Sequence, residues 1–162
     1  MSTRVYLPSS LGQLREVVVS GGVGPVPLLG HCVTDALRRS DPDGDEEEWE
    51  YAALTAAAQD SLALLEDDAP RRVVVVADVE TVLPVSGAAE PSLVEVVDVI
   101  PLRVVAAVHV DAPEAAEAVA AAHEAWPAAQ AGDEAAVGLV ESCLDHELAW
   151  FATQEVGGLL EP

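Results

Sequence analysis

The chain contains no lysine and no asparagine. The first absence excludes a set of chemistries: a Schiff-base lysine, a P-loop lysine and a kinase-type lysine are all impossible. Seven arginines face 29 aspartates and glutamates, for a formal net charge of −22. Basic residues that neutralise phosphates dominate nucleic-acid affinity, so DNA and RNA are not expected partners. Anionic membrane surfaces are not expected either, for the same reason. Cysteine is scarce. Cys32 and Cys143 are the only two, which is too few for a disulfide framework, and both read as reduced, buried thiols. The opening Met1-Ser2-Thr3-Arg4-Val5-Tyr6-Leu7-Pro8 lacks the apolar region of a secretory signal. No apolar run approaches the ~20 residues that span a bilayer. Together these absences predict a cytoplasmic protein.

What the chain does have is apolar bulk, with 51% hydrophobic residues and a mean hydropathy of +0.27. Ala, Val and Leu supply most of it, beside a single Ile, Phe and Met. That much apolar surface can offset conformational entropy, so disorder is excluded. A length of 162 residues predicts one domain spanning 1–162. Charge is uneven along it. Residues 1–40 hold four arginines and only Glu16 and Asp35 as acids, leaving three arginines against all the other acids. The boundary run, Asp41-Pro42-Asp43-Gly44-Asp45-Glu46-Glu47-Glu48, does not read as a linker, since neither side makes a convincing domain alone.

Arg4 to Leu7 reads as a strand. Ser10 with Gln13 three residues on has the capping-box pattern, and Leu11, Leu14 and Val18 follow at helical spacing until Gly21 and Gly22. Val26 to Val33 reads as a strand, with Thr34 capping a short helix that ends near Ser40. From Asp45 to Glu66, the spacing of Tyr51, Leu54, Ala58, Leu62 and Leu65 predicts a helix with one apolar stripe. Glu66, Asp67 and Asp68 stand at its far end. Arg71 to Asp78 is β-branched without alternation, as suits an interior strand covered on both faces. Residues 79–92 read as a loop, and Leu93 to Ile100 and Leu102 to Val110 as strands. Ala115 to Trp126 reads as a helix broken by Pro127, with a further helix from Asp133. Leu148 to Thr153 is predicted to close the sheet, and Glu155 to Leu160 to add a helical turn. Strands alternating with helices predict an α/β fold: a single-domain sandwich with a mixed or largely parallel sheet of four to six strands covered by helices.

Four segments carry a resemblance. They are Val5-Tyr6-Leu7-Pro8; Asp45-Glu46-Glu47-Glu48-Trp49-Glu50-Tyr51-Ala52-Ala53-Leu54; Ala107-Val108-His109-Val110-Asp111; and His146-Glu147-Leu148-Ala149-Trp150-Phe151 with Gln154-Glu155. With them the chain resembles, over nearly its whole length, an uncharacterised family of small actinobacterial proteins. The resemblance implies a cytoplasmic protein of GC-rich origin and carries over no functional residue.

Several constellations suggest chemistry. Val75-Val76-Ala77-Asp78-Val79-Glu80-Thr81-Val82-Leu83 resembles the nucleophile loop of haloacid-dehalogenase-type phosphatases. It departs from that pattern at Glu80, and the phosphate-holding lysine is absent. His109 and Asp111, two apart near a strand end, point to one face. Asp145, His146 and Glu147 precede the last strand, and convergence of the two groups would assemble imidazoles and carboxylates for acid–base or metal chemistry. Asp41, Asp43 and Asp45 have the first spacings of a calcium loop, but its glycine and final glutamate are misplaced. His31 and Cys32 are neighbours on a strand and so face opposite ways. No ligand set has a defined metal spacing, and no cofactor is expected. These readings predict a non-enzymatic binding or regulatory module for a protein partner. The negative face around Glu46, Glu47, Glu48 and Glu50 is expected to meet a basic protein. The alternative is a small hydrolase-like enzyme, metal-dependent or not, using His109, Asp111, Asp145, His146 and Glu147.

Overall fold

A computed structural model describes residues 1–66 and 70–161; Asp67 and Asp68 lie outside the described residues. The opening strand becomes β1 (Thr3–Ser9). Ser10 caps α1 (Leu11–Ser20) by accepting from the Gln13 N–H, and α1 ends at Gly21, whose φ of 83° is left-handed. Two short strands follow, β2 (Gly22–Val23) and β3 (Leu28–His31). Thr34 caps α2 (Asp35–Ser40). Asp45 and Glu48 close a capping box on α3 (Glu46–Ser61), where three acids in the first turn complement the positive end of the helix dipole. Then come β4 (Val73–Val79), β5 (Val82–Pro84), β6 (Leu93–Val96), β7 (Ile100–Pro101) and β8 (Val105–Asp111). The chain closes with α4 (Ala116–Gln130), α5 (Glu134–Glu141), β9 (Leu148–Ala152) and α6 (Val156–Leu159).

The main sheet has seven strands in the order β5-β6-β3-β1-β4-β8-β9, and each pairing in it is antiparallel. The expected mixed or parallel sheet of four to six strands is therefore corrected. The expectation rests on strands alternating with helices, and the run Val73-Val74-Val75-Val76 predicts only cover on both faces. That run does sit under cover on both faces, but two-sided cover does not require parallel strands. Val73, Val75, Ala77 and Val79 pack with Leu11 and Leu14 of α1 and with Val156 of α6. Val74 and Val76 pack under Ala53, Ala57 and Ala58 of α3. A third cluster, Leu62, Leu65, Val119, Ala122 and Val140, seats α4 and α5 against the turn after α3. The extra strand, β5, was hidden in a segment whose Pro84, Gly87 and Pro91 read as loop.

Two helices depart from expectation. The predicted 45–66 helix ends its α-helical part at Ser61 and turns through a 3-10 segment, Leu62–Leu64. Its buried face is alanine: Ala53, Ala56, Ala57 and Ala58 lie inward, while Tyr51 is exposed. Small side chains let the helix approach the sheet closely, so the bulky residues do not define the seam. In α4, Pro127 lies inside the helix, which runs on to Gln130 before Gly132 turns it at φ 90°.

The two sides of β1 differ. Against β4 it makes seven register pairs, from Thr3↔Val79 to Ser9↔Val73. Against β3 it makes one, Tyr6↔His31. Gly30 permits that single close approach, because a Cβ there would sit 2.8 Å from Leu7 Cδ2 and 3.3 Å from the Tyr6 carbonyl oxygen. Beyond it the two strands are unpaired toward Pro8, which has no N–H to give.

Candidate functional site

The residues singled out from sequence are sorted by the last turns of β8 and the approach to β9. His109 and Asp111 lie on one strand, on the α3 face. Asp111 is fully buried and accepts three hydrogen bonds, all from Arg72. Arg72 donates to it from Nε (to Oδ2, 2.8 Å), from Nη2 (to Oδ1, 2.8 Å) and from its backbone N–H (to Oδ2, 2.8 Å). Arg72 Nη2 also donates to the His146 carbonyl oxygen at 2.7 Å. This bidentate pair ties the start of β4 to the end of β8 and to the segment entering β9. It engages both carboxylate oxygens of Asp111 with Arg72.

His109, His146 and Glu147 do converge. They line a pocket of about 130 Å³ with Arg72, Tyr51 and Trp150, between α3 and the β8–β9 edge. Asp145 is exposed and is not part of it. Burial lowers the pKa of His109 from the ordinary 6.5, since the charged ring is disfavoured away from water. Among the described residues, neither imidazole is hydrogen-bonded through its side chain to a carboxylate. No group of three or more His, Cys, Asp and Glu among them is placed to hold a metal ion. Asp78 of the phosphatase-like segment pairs instead with Arg4, Oδ1 to Nε at 3.1 Å, and Glu80 is exposed. Cys32 and Cys143 are buried free thiols, and burial raises the pKa of both. On the acidic helix start, Glu46 is 3.4 Å from Arg38 Nη2, and Glu48 accepts from the Asp45 N–H within the cap. Glu47 and Glu50 make no hydrogen bond or ion pair among the described residues.

The larger concavity was not singled out from sequence. An open cleft of about 1140 Å³ passes where β1 and β3 part. Leu7, Pro8 and Ser9 of β1 and Leu28 and Leu29 of β3 form its strand walls. Glu16 and Val17 of α1, the 21–25 turn, Asp60, Ala63 and Leu64 after α3, and Trp126 of α4 complete it. No arginine or histidine lines it. Behind Asp60 stands a buried polar chain: His31 Nε2 lies 2.6 Å from Asp60 Oδ2, and His31 Nδ1 lies 2.7 Å from Ser92 Oγ. The one available signal was the turn Gly21-Gly22-Val23-Gly24-Pro25 before a short strand, which reads as a helix stop and is also the cleft's rim.

Among the described residues no helix is long and apolar enough to cross a membrane. No characterised protein and no solved structure matches the chain. A family of unknown function, DUF6912, matches residues 3–160, so nearly every element described above falls within the match and the chain belongs to that family.

Proposed function

We propose that this chain is a non-enzymatic binding module for a protein partner, and that the cleft between β1 and β3 receives an extended, largely apolar segment of that partner. One observation carries the reading: a seven-stranded sheet is left unzipped at its centre, with the gap held open as a lined cavity. At about 1140 Å³ it exceeds the ~300–1,000 Å³ usual for small-ligand pockets. Extended segments are commonly recognised along unpaired strand walls, with side-chain pockets giving specificity. The net charge of −22 favours a basic partner and acts mainly on the rate of encounter. Of the four carboxylates on the acidic helix start, Glu47 and Glu50 are the ones free to contribute.

A second reading, a small hydrolase-like enzyme, is supported by the convergence of His109, His146 and Glu147. Its pocket, about 130 Å³, is far smaller than the cleft, and neither imidazole is oriented by a carboxylate as a general base ordinarily is.

The test is selection of linear peptides from a random library on the immobilised protein. Enriched peptides should bind at least about tenfold more weakly to Ala63→Trp, which fills the cleft from an exposed position, and equally well to His109→Ala. Changing Glu47 and Glu50 to Gln should slow association and flatten its salt dependence. Failure to enrich peptides, or equal binding to the filled cleft, would overturn the cleft assignment.

A further inference from the structure

The cleft contains one acidic group built into the fold from behind. Asp60 lies in the last turn of α3, where a carboxylate opposes the negative end of the helix dipole. Helix formation alone gives no reason for an acid there. Its Oδ2 is held at 2.6 Å by His31 Nε2. An ionised carboxylate only accepts, so Nε2–H is the donor in that pair. His31 and Ser92 are each 1% exposed, and their 2.7 Å contact fixes the ring. The Asp60 side chain itself is 44% exposed and lines the cleft, whereas His31 and Ser92 do not. Its Oδ1 makes no hydrogen bond among the described residues. The carboxylate is thus oriented in advance, with one oxygen spent inward and the other available.

Three further features set the sign of what it meets. Glu16 is a second carboxylate on the cleft wall, and no basic side chain lines the cavity. The α3 C-terminus adds partial negative charge beside Asp60. Trp126 contributes an aromatic ring to the same wall, and such rings attract cations through their faces. We propose that Asp60 is the specificity-determining residue of the cleft, and that it receives the guanidinium or ammonium of a single basic side chain flanked by apolar ones. This rests on the reading of the cleft as the binding site. Charge-assisted pairing at a half-buried, oriented carboxylate discriminates more sharply than the diffuse field of the surface.

The probes are two acetylated, amidated pentapeptides, Leu-Val-Arg-Val-Leu and the same sequence with citrulline in place of arginine. Binding is followed by titration calorimetry on the full chain. The arginine peptide should bind about tenfold tighter or more, as expected for a hydrogen bond to a charged group. Asp60→Asn, which keeps an acceptor for His31, should bring the two affinities together. Asp60 is one acid among 29, so a preference that persists in Asp60→Asn belongs to the overall field and overturns the assignment. Equal binding of both peptides to the unaltered chain also overturns it, and leaves the cleft reading standing. Binding of neither peptide at millimolar concentration would sink both. Should Asp60→Asn fail to fold, the two peptides are compared on the unaltered chain in about 1 M salt: a preference that belongs to the overall field is screened away, and its loss overturns the assignment, whereas pairing at Asp60 preserves it.

Discussion

The two sides of β1 follow opposite rules. Toward β4 and β8 the sheet is zipped, packed on both faces and fastened at its end by the buried Arg72–Asp111 pair. Toward β3 it is joined at one residue pair and opens into a cleft. One side concentrates apolar burial, the dominant favourable term in folding. The other exposes backbone and apolar walls that a minimal-energy sheet would close. The contrast places the closely packed and the loosely joined parts of the sheet on opposite flanks of one strand, and low local stability is where binding surfaces are ordinarily drawn from.

The contrast can be broken most severely at its fastened end. Asp111→Ala strands the buried Arg72 guanidinium and should cost about 3–5 kcal/mol of unfolding free energy, measured by urea titration. Leu29→Ala, on the cleft wall and 54% exposed, should stay within ~0.5 kcal/mol of the parent. Amide exchange sharpens the same contrast without mutation. Amides of β4 should exchange at least about a hundredfold more slowly than those of Leu28 and Leu29. Equal protection would show the two flanks to be one cooperative unit.

Tyr6 stands where the flanks meet, pairing with Val76 on one side and His31 on the other. Burial, with a further push from Glu50, raises its pKa from 10.0 to about 12. The folded state therefore holds the phenol proton more tightly than the unfolded chain. This stability is fully present below pH 10 and is lost as pH rises from 10 toward 12, by up to about 2–3 kcal/mol. The chain has no lysine to obscure that window, and the buried Cys32 and Cys143 shift in the same direction. Tyr6→Phe should flatten the alkaline limb of a stability–pH curve. The smallest effect is expected at His109, whose pKa is lowered by burial. The unfolded chain takes up a proton there first, so stability falls as pH drops below about 6.5. His109→Gln should remove that part of the fall.

Local elements were legible because their signals are local. Ser10 and Thr34 cap helices where expected, and the Val73–Val76 run does lie inside the sheet. Strand direction was not legible, because strands alternating with helices, like a valine run, report cover and not pairing. The seam of α3 differs from the predicted stripe at Tyr51, which is exposed, and in the buried Ala53, Ala56 and Ala57, since alanines that permit close approach look featureless beside bulky residues. The candidate site was legible only in part. His109, His146 and Glu147 share a pocket, but nothing local says that Asp111 is taken by Arg72, 39 residues away. The cleft depends on what β1 and β3 fail to do together, and Asp60 meets His31 across 29 residues. Absent pairing and long-range hydrogen bonds leave no periodic trace.

The Arg72–Asp111 pair also has a consequence for assembly of the sheet. Side chains on a strand alternate between faces, so a slip of β8 by one residue would carry Asp111 to the α1 side. Arg72, 2% exposed, would then lose its carboxylate partner while still buried, at a cost of several kcal/mol. Hydrophobic valines and alanines on both faces of β4 and β8 tolerate many alignments nearly equally. The ion pair does not, and so it works as an alignment key that rejects out-of-step closures of an otherwise permissive sheet.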